Sequence, residues 1–241
     1  MHAVESGRLT SRASAAPDAV EPPAAGCREL ALAGGGRVWL RVPTATPNRR
    51  LLLVVTFHGA GGSATGMLAL MNESADRHGL LVLAPQSTRS SWDMIHGEFG
   101  PDVRLLDAAL AHVFAHYPVD PGNLAISGFS DGASYAMSLG IANGDLFRHV
   151  IAWSPGFAAP RLHAGRPRFF VSHGTGDQVL PIGRCSRPLV ASLRSAGYDV
   201  KYVEFDGPHV VPPAVVEEST NWLAEAAPDD RRPRGGHGAD S

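Results

Sequence analysis

The chain has 241 residues, of which 44% are hydrophobic and 18% charged, with a formal net charge of -2. That length and apolar share suit one α/β domain with a real core and exclude a wholly disordered chain. The near-zero charge argues against a nucleic-acid partner, and the sequence has no run of about 18 apolar residues to cross a membrane.

Residues 1–26 are rich in Ala, Pro and Ser and lack the apolar core of a secretory signal, so a disordered leader and a cytoplasmic protein are expected. The folded domain is expected over 27–227, and 228–241, charged and Gly-rich, reads as a disordered tail. Cys27 and Cys185 form neither a disulfide framework nor a metal-ligand cluster.

Inside those limits strand-like and helix-like stretches alternate. Residues 37–43 are β-like, and Leu51–Phe57 is a nearly continuous apolar run, suited to a strand buried on both faces. Residues 63–78 carry Met67, Leu70, Met71 and Ala75 at helical spacing, and 80–84 is strand-like up to Pro85. Asp102 can cap a helix through His116, whose stripe is Leu105, Leu106, Ala109, Leu110 and Val113. Residues 118–123 have turn chemistry, 124–127 are apolar, and 133–143 are helix-compatible. His149–Trp153 and 168–172 read as short strands, and 184–196 as a helix stopped by Gly197. Val200–Phe205 is the last strand and 212–226 the last helix. This alternation predicts a mostly parallel sheet with helices on both faces.

Ligands of such a sheet sit at the carboxyl ends of its strands, so the residues just past each strand carry the chemistry. Gly128-Phe129-Ser130-Asp131-Gly132 lies between a strand and a helix, where two glycines permit a sharp turn that lifts the Ser130 hydroxyl out. This is the geometry of a nucleophile elbow. After Leu51–Phe57 comes His58-Gly59-Ala60-Gly61-Gly62, which can bring the Ala60 N–H near Ser130. With the Asp131 N–H it would make an oxyanion hole. A tight turn or a phosphate cradle would use the same glycines. Asp177, in a Gly-rich turn after 168–172, can orient an imidazole; Asp206 is the rival carboxylate. His209, after the last strand, is the candidate base, while His58 and His173 are expected to make structural hydrogen bonds.

Ser130, Asp177 and His209 occur in the order Ser…Asp…His, and with HGAGG, GFSDG and HGTGDQVLP the chain resembles the α/β-hydrolase superfamily. Within it, these segments are similar to the small phospholipase/carboxylesterase group, with polyhydroxybutyrate-depolymerase-like and feruloyl-esterase-like proteins as near relatives. The resemblance implies Ser130 as nucleophile, His209 as base, Asp177 as its orienter, and Ala60 and Asp131 as oxyanion donors. It implies an esterase acting on a small-molecule ester, possessing neither cofactor nor metal. One departure is visible: that group often carries Gln and two glycines after the serine, where this chain has Asp131, Gly132 and Ala133. A carboxylate there would oppose an oxyanion unless it points away. Polyester depolymerases and peptidases use the same machinery, and a binding protein could keep the scaffold without the chemistry.

Residues 154–167 are too short a link for a substantial cap, so a shallow, open site is expected. Trp92, Trp153 and Phe157 are candidates for its apolar lining. Residues 92–100 read as a solvated rim loop, since Asp93, His96 and Glu98 fit no strong metal spacing.

Overall fold

The computed structural model describes residues 4–13, 24–32, 35–44 and 50–225. Its strands are β1 (Gly26–Glu29), β2 (Val38–Val42), β3 (Leu51–Phe57), β4 (Leu80–Pro85), β5 (Val119–Phe129), β6 (His149–Trp153), β7 (Arg168–Gly174) and β8 (Val200–Phe205). They form one sheet in the order β1-β2-β4-β3-β5-β6-β7-β8. The β1–β2 and β2–β4 pairs are antiparallel; the other five are parallel. The parallel strands β3, β4 and β6 are apolar almost throughout because helices cover both faces.

The helices are α1 (Ala64–His78), α2 (Pro101–His116), α3 (Asp131–Ala142), α4 (Ser186–Ser195) and α5 (Pro213–Glu225). Ser63 starts α1 by accepting the Gly66 N–H at 3.1 Å, and Gly79 ends it in the left-handed conformation. One face packs α1 and α5 against Val54, Val82, Ala125, Ile151 and Phe170 through Met67, Met71, Trp222 and Leu223. The opposite face holds Leu106, Leu110, Tyr135, Leu139 and Leu193 from α2, α3 and α4. The β6–β7 connection contains no helix.

Three expectations change. The turn expected over 118–123 is largely absorbed into β5, which begins at Val119 and is hydrogen-bonded there to β3. Asp102 does not cap α2. Pro101 opens that helix, and the Asp102 carboxylate accepts the N–H groups of Thr88 and Asp93, both at 2.8 Å.

The third change concerns the leader. Residues 4–13 are not a loose segment but a strap across α2 and α3. Leu9 is only 1% exposed, and Asn143 brackets it, accepting the Leu9 N–H at 2.9 Å and donating to Gly7 O at 2.8 Å. The Arg8 guanidinium grips Asp145 with both nitrogens and holds its carboxyl down to about 2. Asp107 accepts the N–H groups of Thr10 and Ser11, each at 2.9 Å. A buried leucine and satisfied backbone groups offset the ordering entropy that composition alone argued would prevail. Residues 1–3 and 14–23 of the expected leader and the expected tail at 228–241 lie outside the described residues.

At the opposite end of the sheet from the strand carboxyl termini, His149 is buried edge-on against Trp222, with no partner for Nδ1. Burial, then Arg168 and Arg148, push its pKa down to about 4. Because the folded value is depressed, the cost is absent above the unfolded value near 6.5. It grows as pH falls from there to about 4, where the unfolded chain takes a proton that the native ring refuses. Between pH 6.5 and 5 this removes about 2 kcal/mol of stability, from 1.36 kcal/mol per unit. His149→Phe keeps the ring contact without the titration. Urea unfolding at pH 7 and pH 5 should show the wild type losing about that much more than the variant, with a residual slope from other histidines that burial depresses, His58, His78, His112 and His173.

Candidate active site

Ser130 sits where β5 breaks into α3, with φ 58 and ψ -120. That strained backbone is a sign of an imposed role rather than a propensity. Two close approaches explain the flanking glycines: a Cβ on Gly128 would lie 2.3 Å from Gly132 O, and one on Gly132 would lie 2.3 Å from Phe57 O. The turn is locked by the Ser130 N–H donating to Trp153 O at 2.9 Å.

The loops after β7 and β8 are stitched together by Thr175 N–H to Phe205 O and Gly176 N–H to Gly207 O. This brings Asp177 and His209, 32 residues apart, into one contact: His209 Nδ1 is 2.5 Å from Asp177 Oδ2. His209 Nε2 is 2.9 Å from Ser130 Oγ. The ring of Phe129 lies against His209 with centroids 4.8 Å apart. Asp177 Oδ1 accepts the Val179 and Leu180 N–H groups at 2.9 and 2.8 Å. Burial opposes its charge, but the Leu180 N–H and His209 outweigh that and hold its carboxyl below the usual range. Asp206 is exposed, and Asp177 occupies the His209 Nδ1 position instead.

The HGAGG turn lies over Ser130: a Cβ on Gly59 would be 3.2 Å from Ser130 Cβ. Gly59 O accepts from His58 Nδ1 at 2.7 Å and from Gly62 N–H at 2.9 Å. In a trans peptide the Ala60 N–H then points to the other side of the same plane. Among the described residues neither the Ala60 N–H nor the Asp131 N–H donates to a protein acceptor. His58 Nε2 accepts from Gln86 Nε2 at 2.9 Å and Ser87 N–H at 3.2 Å, which fixes the proton on Nδ1. Burial lowers its pKa and so favours the neutral ring.

Asp131, the departure noted in the sequence, is turned toward the loop before α2: its Oδ2 accepts the Ser91 hydroxyl at 2.7 Å. Two of the three aromatic candidates are not pocket residues. Trp92 and Trp153 are completely buried, Trp92 stacked on Tyr135 with its Nε1 donating to His58 O at 2.8 Å. Large flat rings fill the core beneath the turns because burying them yields more than lining an open site. Phe157 is 42% exposed, and its loop is tied to α3 by Ser134 Oγ, which accepts the Gly156 N–H at 3.0 Å. The rim loop is also more ordered than a solvated one. Asp93 is buried and accepts the N–H groups of Gly100 and Asp102 at 2.7 and 2.9 Å, while His96 and Glu98 face outward. Burial and then Asp102 raise the Asp93 carboxyl above its ordinary range.

Ser91, Ser134 and Gln86 went unnoticed in the sequence, where lone serines and a glutamine carry no signal without their distant partners.

This architecture is the α/β-hydrolase fold, shared with solved structures that carry the names of esterases. The chain is similar to the crystal structure of esterase PE8, with 23% identity, a TM-score of 0.64, and coverage of 79% of this chain and 97% of that one. It is likewise similar to the phospholipase/carboxylesterase from Dyadobacter fermentans, at 21% identity and a TM-score of 0.60, covering 78% and 96%. In sequence it is 28% identical over 168 residues to the acetylxylan esterase of Coprinopsis cinerea, covering 64% of this chain. The matched region is 44% of that relative's length. No protein-family model matches the chain.

Proposed function

We propose that the protein is a serine hydrolase that cleaves carboxylic esters, thioesters included, through an acyl-Ser130 intermediate. The observation that carries this reading is the unbroken chain of contacts from Ser130 Oγ through His209 to Asp177, at 2.9 and 2.5 Å. His209 Nε2 takes the Ser130 proton as Oγ bonds to the ester carbon. The carbonyl oxygen gains the negative charge, and the unpartnered N–H groups of Ala60 and Asp131 receive it, helped by the N-terminus of α3. The C–O bond then breaks, and His209 returns its proton to the leaving alcohol. Water repeats the sequence and frees the acid. Asp177 orients the imidazole and steadies its positive charge. The Asp131 carboxylate is engaged by the Ser91 hydroxyl at 2.7 Å, which offsets part of its charge beside the oxyanion.

The substrate is a small-molecule ester. With no helix in the β6–β7 connection to enclose a long chain, short or accessible acyl groups fit best. Phe157, Val179 and Val210, exposed by 42%, 68% and 43%, follow β6, β7 and β8 and give this edge an apolar rim. The acetylxylan esterase similarity supports ester chemistry of this size. We place the protein in the cytoplasm, where its two free cysteines, Cys27 and Cys185, suit a reducing compartment. No helix among the described residues is long and apolar enough to cross a membrane.

A fluorophosphonate probe tests the reading directly. The native protein should be labelled with the adduct on Ser130 by peptide mass spectrometry, and heat-denatured protein should not. Absence of labelling in the native protein, or labelling that survives denaturation, would sink it.

A further inference from the structure

We propose that His173 is a positioning residue of this reaction, a second imidazole that holds Asp177 in place for His209; the proposal rests on the triad reading above. His173 lies near the end of β7 and is completely buried. Its Nε2 is 2.7 Å from Leu180 O and 3.1 Å from Asp177 Oδ2, and its Nδ1 is 2.6 Å from Ser186 Oγ. A carbonyl oxygen can only accept, so Nε2 carries the proton and Nδ1 accepts the Ser186 hydroxyl. Burial disfavours the charged ring, so it remains neutral and keeps this tautomer.

The arrangement reaches Asp177 by two routes. Directly, the polar Nε2–H lies against Oδ2, the same oxygen that meets His209. Indirectly, His173 holds Leu180 by its carbonyl, and the Leu180 N–H holds Asp177 Oδ1 at 2.8 Å. The carboxylate is thus pinned at both oxygens, and Oδ2 stands between two imidazoles. Without His173, the Leu180 turn and the carboxylate rotor lose their inner anchor, and the 2.5 Å contact with His209 loosens.

The other charged groups around the pair are few. Glu204, on β8 in register with His173, is paired with Arg187. At the start of α4, burial and then the charge of Asp177 raise the Cys185 thiol pKa against the pull of Arg184, favouring the neutral form.

Amide replacements separate positioning from mere packing. Gln places its Nε2 donor where the His Nε2 stands, whereas Asn reaches only the Nδ1 position. For hydrolysis of p-nitrophenyl acetate, His173→Asn should lower kcat about tenfold and leave KM within about twofold, the signature of misplaced catalytic geometry. The acidic limb of its pH–rate profile should move to lower pH by about half a unit, because a loosened carboxylate stabilises the imidazolium less. His173→Gln should restore kcat to within about threefold of wild type and return the limb to its place. If the direct contact with Oδ2 mainly drew charge away from His209, the limb would move upward, and that result would overturn the proposal. So would equal losses in the Asn and Gln variants, or a fall in melting temperature with unchanged kinetics.

Should His173→Asn fail to fold, Ser186→Ala decides, since it removes the hydroxyl that anchors the Nδ1 side of the ring. It should lower kcat and move the limb in the same direction, and wild-type values would overturn the proposal. A readout independent of turnover keeps the two hypotheses apart. The downfield proton resonance of His209 Nδ1–H, assigned by its loss in Asp177→Ala, should weaken or shift in His173→Asn. An inactive wild type that shows this resonance would defeat the esterase reading alone; a resonance unchanged in His173→Asn would defeat the positioning role.

Discussion

Ser130→Ala is expected to lower kcat for p-nitrophenyl acetate by about 10⁶-fold, the size of loss found when a triad nucleophile is removed. The substitution deletes one oxygen and leaves the rest in place. Alanine tolerates the backbone at φ 58 no worse than serine does, and Ser130 makes its structural contacts through main-chain atoms, to Trp153, Ala133 and Ser134. The Oγ is hydrogen-bonded to His209 Nε2. Circular dichroism and the melting temperature should therefore stay near wild type while turnover falls. The residual rate belongs to the Ala60 and Asp131 N–H groups, which can still bind a developing oxyanion for attack by water. Activity within tenfold of wild type would mean that some other group carries the reaction, and the acyl-serine mechanism would fail.

The parts of this fold that were legible in the sequence are those governed by local pattern. Leu51–Phe57 and His149–Trp153 read as strands because a parallel strand covered on both faces is apolar at nearly every position. The elbow was legible because two backbones pass within van der Waals contact at Gly128 and Gly132, leaving glycine as the residue that fits. What failed was set by distant partners. β1 is a short edge strand whose residues alternate between half-buried and exposed, so its composition resembles a loop. The strap at residues 4–13 depends on Asp107, Asn143 and Asp145, roughly a hundred or more positions away, and nothing near Leu9 announces them. Trp92 and Trp153 were misplaced because an aromatic ring after a strand looks the same whether it fills the core or lines a pocket. His173 was read as a structural histidine, and it does bond the turn through Leu180 and Ser186. Its closeness to Asp177 Oδ2 depends on how that turn curls back, which the three intervening residues do not specify.

Asp177→Asn carries the second large effect, about 10⁴-fold in kcat or about 5.5 kcal/mol of transition-state stabilisation. The reason lies in which way the amide must face. Oδ1 of Asp177 accepts two backbone N–H groups, from Val179 and Leu180. An asparagine must put its carbonyl oxygen there, because an NH₂ would leave two buried donors facing a donor. The NH₂ is then forced into the Oδ2 position, opposite His209 Nδ1 and His173 Nε2. A donor at that place selects the His209 tautomer protonated on Nε2, which can no longer take the Ser130 proton. It also meets the His173 N–H head-on, so the melting temperature should drop while KM stays close to wild type. Fluorophosphonate labelling should slow in step with kcat, since both need the same proton transfer. Asp206→Asn, by contrast, should change kcat less than twofold, because that carboxylate is exposed while Asp177 holds the His209 Nδ1 position. If the two variants exchanged these effects, the imidazole would be oriented from its own loop, and the contact between the β7 and β8 loops would be structural alone.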